Sequence, residues 1–400
     1  MRPYLRRLFT SFLSLVLFIN PVSLREFTAS GPVAAQSNLT YTVDRLTDVN
    51  PGGGGVGSGL TGDLRYTVYN AKSGDTITSN LTGTIHLAGG LPSLAQSVKI
   101  EGPKQGGLTV HGNGSAIVFA ISNGASVVIS NLTITGGRGN GGGIFNNGLL
   151  TLNNVTISGN MAGDPTNGGG TGAGIWNYTS GMLTVNNSTV SGNNAFGNSS
   201  YNPSRGAGIA NYGTLTLNNT TVSGNSVSEG SGGAISNTLA TSILTLNNST
   251  ISANSATGAV GLSGGIDNHG NLTAVNSIIA DNAKGDFRGA LTSQGHNLIG
   301  STSGGSGFRP DLGDLLNINP QLGPLKGNGG PTWTHALLAG SPAINAGDNG
   351  ACPATDQRGV TRPQGGHCDI GVYEFGVSSL TLMGKCWDSG CHAELRGWDT

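Results

Sequence analysis

Charge is scarce in this 400-residue chain: 10% of the residues are charged, 19 basic against 20 acidic, for a net charge of −1. Beyond the N-terminus no run of Lys or Arg is present to follow a phosphate backbone, which argues against nucleic acid as a partner. Aromatics make up 6%. The four cysteines all lie late in the chain, at 352, 368, 386 and 391. The apolar stretch from Leu8 to Ile19 is too short to cross a bilayer core of about 30 Å, and no longer apolar span follows Phe375. A membrane span in the mature chain is therefore not expected.

The N-terminus instead has the layout of a cleavable export signal, residues 1–35. Arg2, Arg6 and Arg7 precede the apolar stretch, and Val33-Ala34-Ala35 offers a small-residue cleavage site. An even cysteine count in an exported chain favours disulfides, with Cys352–Cys368 and Cys386–Cys391 as the pairs close in sequence. Cys386 and Cys391 are followed by His392, but the spacing is not that of a haem or metal motif and no second ligand cluster accompanies it.

Glycine is what the chain has in abundance, 70 residues, and it recurs at a period. Five units begin at Gly141, Gly172, Gly206, Gly232 and Gly264; the first reads GGGIFNNGLLTLNNVTISGN. Each contains three strand-sized motifs in fixed order. Alternation sends Leu150 and Leu152 to one face and Thr151 to the other, and the pattern repeats at Leu183/Val185, Leu215/Leu217, Leu244/Leu246 and Leu272/Ala274. The second motif supplies Val155, Ile157, Val190, Val222, Ile251 and Ile279; the third supplies Ile144, Ile175, Ile209, Ile235 and Ile266. No single unit can bury so few apolar side chains, whereas stacked units align them into columns. The fold expected is an all-β, right-handed, single-stranded parallel β-helix. Its expected layout is an N-terminal cap with irregular coils over 36–124, regular repeats over 125–282, a loop-rich segment over 283–375 and a tail over 376–400.

Equivalent asparagines 154, 187, 219, 248 and 276 are 33, 32, 29 and 28 residues apart, so loops must absorb the difference. Most of it falls between the second and third strands, at 161–171, 194–205, 226–231 and 255–263, and these insertions would project from one side as the expected binding face. Three Asn columns, at 154/187/219/248/276, 160/193/225/254/282 and 146/177/211/237/268, suit corners, because Asn tolerates left-handed backbone and can bond to its counterpart in the next coil. The Asn-x-Thr sequons arise from the repeat itself and read as structural rather than as glycosylation sites. Threonine rows 151/184/216/245/273 and 156/189/221/250 read as outward ladders of good strand formers.

The segments GDLRYTVYNAKSGDTIT (62–78), the repeat units, NPQLGPLKGNGGPTWTHALLAGSPAINAGD (319–348) and DQRGVTRPQGGHCDIGVYEF (356–375) together resemble the bacterial choice-of-anchor Q proteins. The units are also similar to polymorphic outer-membrane adhesin repeats. The resemblance implies a pectin-lyase-like β-helix on an exported or surface protein and no established reaction. The sequence departs from that family after Phe375, where GVSSLTLMGKCWDSGCHAELRGWDT contains no long apolar span, so the membrane or covalent attachment common in that family is not expected.

A hydrolase needs two carboxylates at a workable separation, and a lyase needs a base beside a cation or Arg. The best local set is Asp267, His269, Asp281, Asp286 and Arg288; Asp267 itself reads as an outward, solvated residue. His86 and His111 stand alone in strand-like segments and read as surface or corner residues. Asp48 to Asn50 and Asp311 to Asp314 are weak Ca²⁺ candidates without the ligand density of a dedicated site, and no other cofactor is expected. The expected function is adhesion or carbohydrate binding by a monomeric secreted or cell-surface rod. Its partner would be an extracellular glycan or surface protein, contacted through Trp176, Tyr178, Phe196, Tyr201 and Tyr212. A polysaccharide lyase or glycoside hydrolase and a structural surface or matrix protein are the alternatives.

Overall fold

The computed structural model describes residues 38–49, 52–164, 166–198, 202–258 and 263–376, and the backbone of 384–387 and 390–393. The expected export signal, Tyr201 and most of the tail lie outside the described residues, as do the side chains of Cys386 and Cys391.

Successive strand-sized motifs wind into three long sheets, of twelve, ten and eight strands among the described residues, parallel except where Gly57–Ser58 pairs with Thr61–Gly62 at the N-terminal edge, and together they form a right-handed parallel β-helix. The first sheet takes the Leu-Thr-Leu motifs: Ser126–Ser130, Leu149–Asn153, Met182–Asn186, Thr214–Asn218, Ile243–Asn247 and Asn271–Val275. The second carries Thr133–Thr135, Thr156–Ser158, Thr189–Ser191, Thr221–Ser223, Thr250–Ser252 and Ile278–Ala280. The third carries Phe119–Ile121, Ile144–Asn146, Ile175–Asn177, Ile209–Asn211, Ile235–Asn237 and Ile266–Asn268.

Like residues stack on like. Leu150, Leu183, Leu215, Leu244 and Leu272 are successive partners in the first sheet, and Ile144, Ile175, Ile209, Ile235 and Ile266 in the third. All are buried in one continuous core. Register is pinned because a slip of one residue would turn each Leu outward and each Thr inward.

The asparagine columns divide two kinds of work. Asn154, Asn187, Asn219, Asn248 and Asn276 turn the corner after the first sheet with φ between 47° and 54°, a conformation Asn tolerates. The other two columns are buried amide ladders. Asn160, Asn193, Asn225 and Asn254 each donate from Nδ2 to the Oδ1 of the next, all at 2.9 Å. Asn146, Asn177, Asn211 and Asn237 do the same at 2.7–2.8 Å. The winding continues past residue 282, where the repeat's sequence pattern ends, through Phe287–Ala290, Leu298–Ile299 and Leu315–Leu316.

At the N-terminal end a helix, Leu64–Asn70, lies over the first coils, started by Asp63 accepting from the Tyr66 N–H at 2.7 Å. Its Arg65 is buried and makes a two-pronged pair with buried Asp48, both contacts at 2.7 Å. Asp48 also accepts from the Ala88 N–H.

The segments between second and third strands are not loose loops. Each opens with a strand of a short fourth sheet, Met161–Ala162, Asn194–Phe196, Ser226–Ser228 and Ser255–Thr257. Ala162, Ala195, Val227 and Ala256 form a small core there with Ala173 and Ala207. The sequence concealed this because a two- or three-residue strand with one small apolar side chain has almost no periodic signature.

The C-terminal segment folds back as a strap along the outer face of the second sheet. Thr189 donates to the Trp333 carbonyl at 2.6 Å, Thr221 to Gln357 Oε1 at 2.7 Å, and Thr250 Oγ1 accepts from the Val372 N–H at 3.2 Å. Thr189, Thr221 and Thr250 are buried, so from Thr189 onward this threonine row is not an outward ladder. The other row, Thr151 to Thr273 on the first sheet, stays half-buried. Cys352 and Cys368 are disulfide-bonded within the strap.

Candidate functional site

The outer face of the third sheet collects most of the chemistry. In each repeat strand the residue between the buried Ile and the buried Asn points away from the core, giving the paired order Phe145, Trp176, Ala210, Ser236, Asp267, and Arg288, after buried Phe287, continues it. Two residues further along each coil a second column runs through Tyr178, Tyr212, Thr238 and His269. One face thus reads aromatic at one end, small and polar in the middle and charged at the other. Five coil steps of about 4.8 Å make it about 24 Å long.

At the aromatic end Trp176 is the hub. Its ring meets Phe145 at 5.2 Å between centroids, Tyr178 at 5.3 Å and Tyr212 at 6.1 Å, all edge to face. Tyr178 is exposed, and Phe145, Trp176 and Tyr212 are half-buried. The Trp176 indole N–H has no hydrogen-bond partner among the described residues. Such an unmet donor costs about 1–3 kcal/mol when it stays buried. Phe145 was not singled out in the sequence, although it occupies the position equivalent to Trp176. Phe196 lies apart, in the fourth sheet.

At the charged end Asp267 is not the solvated residue expected. Its side chain is 7% exposed and is gripped from both sides, by Arg288 Nη1 at 3.4 Å and His269 Nε2 at 3.3 Å. The two partners remain open to solvent, with side chains 42% and 50% exposed. The carboxylate is buried because the next strand lays Arg288 directly over it.

Asp281 and Asp286 do not join this group. Asp286 closes the second amide ladder: its Oδ1 accepts from the Asn282 N–H at 2.8 Å and from Asn282 Nδ2 at 3.0 Å, where earlier coils use an Asn. Burial raises its pKa against those hydrogen bonds. Asp281 is an exposed residue with φ 60° at the strap side; desolvation raises its pKa and His335 opposes the shift.

The carboxylates named for Ca²⁺ are engaged by protein partners. Asp48 is held by Arg65, Asp311 pairs with Arg309, and Asp314 accepts from Ser293, Asn297 and the Arg309 N–H. Among the described residues no group of three or more His, Cys, Asp or Glu is placed to hold a metal ion.

The sequence also gave no sign of what DQRGVTRPQGGHCDIGVYEF does in the folded chain. Asp356, Arg362, Asp369 and Glu374 are all buried. Asp356 pairs with Arg358, whose guanidinium lies 3.5 Å over the Tyr373 ring, and Glu374 accepts from the Gln364 and Asp369 N–H groups. These are the strap's internal fastenings rather than a reaction site.

The fold places the chain among the right-handed parallel β-helix proteins. A solved structure similar in outline is that of the pectate lyase Pel9A, at 12% identity and a TM-score of 0.43, covering 84% of this chain and 96% of that one. No family model and no curated protein matches the chain. Among the described residues no helix is long and apolar enough to cross a membrane.

Proposed function

We propose that this is a secreted or cell-surface glycan-binding protein that grips a polysaccharide along the outer face of the third sheet. The observation that carries the reading is the alignment of Phe145, Trp176, Tyr178 and Tyr212 with Asp267, His269 and Arg288 on one straight face. Sugar rings present apolar faces that stack on aromatic side chains and hydroxyls that take polar partners, and such a strip offers both in succession. Arg288 and His269 at its far end favour a chain carrying carboxylates. The disulfide in the strap accords with export to an oxidising compartment.

A second reading is lyase or hydrolase chemistry at the charged end. The specific feature that favours it is a buried carboxylate holding an exposed imidazole beside an Arg, the residue types that acid-base chemistry uses. One experiment separates the two. The purified chain is incubated with a polysaccharide panel including polygalacturonate and alginate, following retention, unsaturated products and new reducing ends. Retention that falls tenfold or more in Trp176→Ala, with the polysaccharide recovered intact, is the result expected for a binding protein. Turnover abolished by His269→Ala would replace binding with catalysis, and equal retention by Trp176→Ala and the parent would remove the aromatic strip from the account.

A further inference from the structure

The outward side chains of the first sheet fall into three columns across six strands, from Ser126–Ser130 to Asn271–Val275, and the strands pair residue for residue without a bulge. One column carries Leu149, Met182 and Ile243, which are 44%, 54% and 43% exposed. Apolar side chains this open, stacked in one column rather than scattered, mark a contact surface. The middle column is the half-buried threonine row from Thr151 to Thr273. In the third column Asn186, Asn218 and Asn247 each donate from Nδ2 to the Oδ1 of the asparagine one coil earlier, beginning at Asn153, at 2.8–2.9 Å.

Side-chain ladders of this kind keep a stack of strands flat. Each amide spends one N–H and one lone pair on its ladder and keeps one of each. None of the outward residues in the six strands is charged; the nearest charges along the sheet, Lys99 and Glu101, belong to the strand before them. Coil steps of about 4.8 Å and a spacing of about 6.7 Å between outward residues make the face about 24 Å by about 13 Å, on the order of 300 Å². A stable protein interface covers about 800 Å² of each partner, so a second copy or another folded protein is not matched to it. Sugar rings need less: each lays an apolar C–H face on a hydrophobic side chain and offers hydroxyls to polar neighbours. Because the same groups recur once per coil, a partner that is itself periodic engages all the coils at once, whereas a single soluble chain engages one row.

We infer that the outer face of the first sheet docks on the surface of an insoluble, uncharged, crystalline polysaccharide. The apolar column takes the sugar C–H faces, and the threonine and asparagine columns take hydroxyl or acetamido groups. This is a site apart from the aromatic strip on the third sheet, whose Arg288 and His269 favour a charged chain; the three columns hold no cation for a carboxylate to meet.

The test is depletion of the purified full chain from solution by microcrystalline cellulose and by crystalline chitin. At least one solid should take up the wild type, and equally at about 0.05 M and about 0.5 M salt, because no charge takes part. Uptake by chitin alone would assign the asparagine column to acetamido groups, and uptake by cellulose would assign it to hydroxyls. Met182→Glu/Ile243→Glu should lower the partition coefficient by about tenfold or more, since both carboxylates must be desolvated against an uncharged partner. Both positions are exposed, so the fold is kept, which native circular dichroism and an unchanged urea midpoint check. Leu338→Glu, at an exposed position of the strap, adds the same charge elsewhere and should bind as the wild type does. Excess soluble cellohexaose should leave the bound fraction unchanged. Uptake by neither solid, a double variant that partitions like the wild type, an equal loss in Leu338→Glu, or displacement by cellohexaose overturns the inference.

Discussion

Arg65 shows how a single residue can be both costly and necessary. Its guanidinium and the Asp48 carboxylate are each 1% exposed. Desolvating two charges is repaid only while they stay together, and removing one partner strands the other. Arg65→Ala should therefore destabilise the chain by about 3–5 kcal/mol, read as a lower urea midpoint with little change in slope. The residue was visible in the sequence only as part of a resemblance. Nothing local told that Arg65 points inward, because its partner lies 17 residues away in a segment with no periodicity. Asp267 repeats the lesson. Its column is filled elsewhere by Phe145, Trp176, Ala210 and Ser236, which suggested solvent, and only the stacking of Arg288 from the following coil made it a buried ion.

At the scale of elements, the strap over the second sheet is held by one side chain above all. Gln357 Nε2 donates to Thr189 Oγ1 at 3.0 Å and Thr332 Oγ1 at 2.9 Å, and its Oε1 accepts from Thr221 at 2.7 Å. Gln357→Ala takes from the buried Thr221 hydroxyl its one side-chain hydrogen bond among the described residues and removes one partner each from the Thr189 and Thr332 hydroxyls, at on the order of 1–3 kcal/mol. The expected signs are a lower unfolding midpoint and faster proteolytic cutting within residues 319–375. A folded strap cut no faster than the parent would mean that its apolar contacts, Leu337, Ala343 and Ile370 against Ile278 and Leu298, hold it without help.

The strap also sets a pH dependence. Burial raises the Asp369 carboxyl to about 6, against hydrogen bonds from the Asn345 and Phe375 N–H groups. A carboxyl whose folded pKa lies above its unfolded value binds more protons in the native state, so stability is full at low pH and is lost as pH rises through about 6. His335, lowered by burial, works the other way and costs stability as pH falls. Comparing wild type with Asp369→Asn isolates the first effect. Between about pH 5 and about pH 7 the wild type should lose about 1 kcal/mol relative to the variant. Denaturant unfolding at the two pH values measures it, and parallel slopes would place the Asp369 pKa near its ordinary value.

For the whole molecule, the repeat sequence by itself determined the winding. Periodic Leu, Val and Ile can be buried only by stacking, alternation fixes which side faces in, and Asn and Gly mark where each coil turns; all of these are local signals repeated five times. The tertiary structure alone decided which outer faces remain available. The strap covers the second sheet, the insertions condense into a fourth sheet, and residues from 145 to 288 come to share one outer column of the third, half-buried at Phe145, Trp176 and Arg288 and buried at Ala210, Ser236 and Asp267 between them. The physical reason is separation along the chain. Thr221 meets Gln357 across 136 residues, and Asp267 meets Arg288 only because the coil returns after one turn. Periodicity says that coils stack, but it carries no information about what a non-repeating segment will fold back upon.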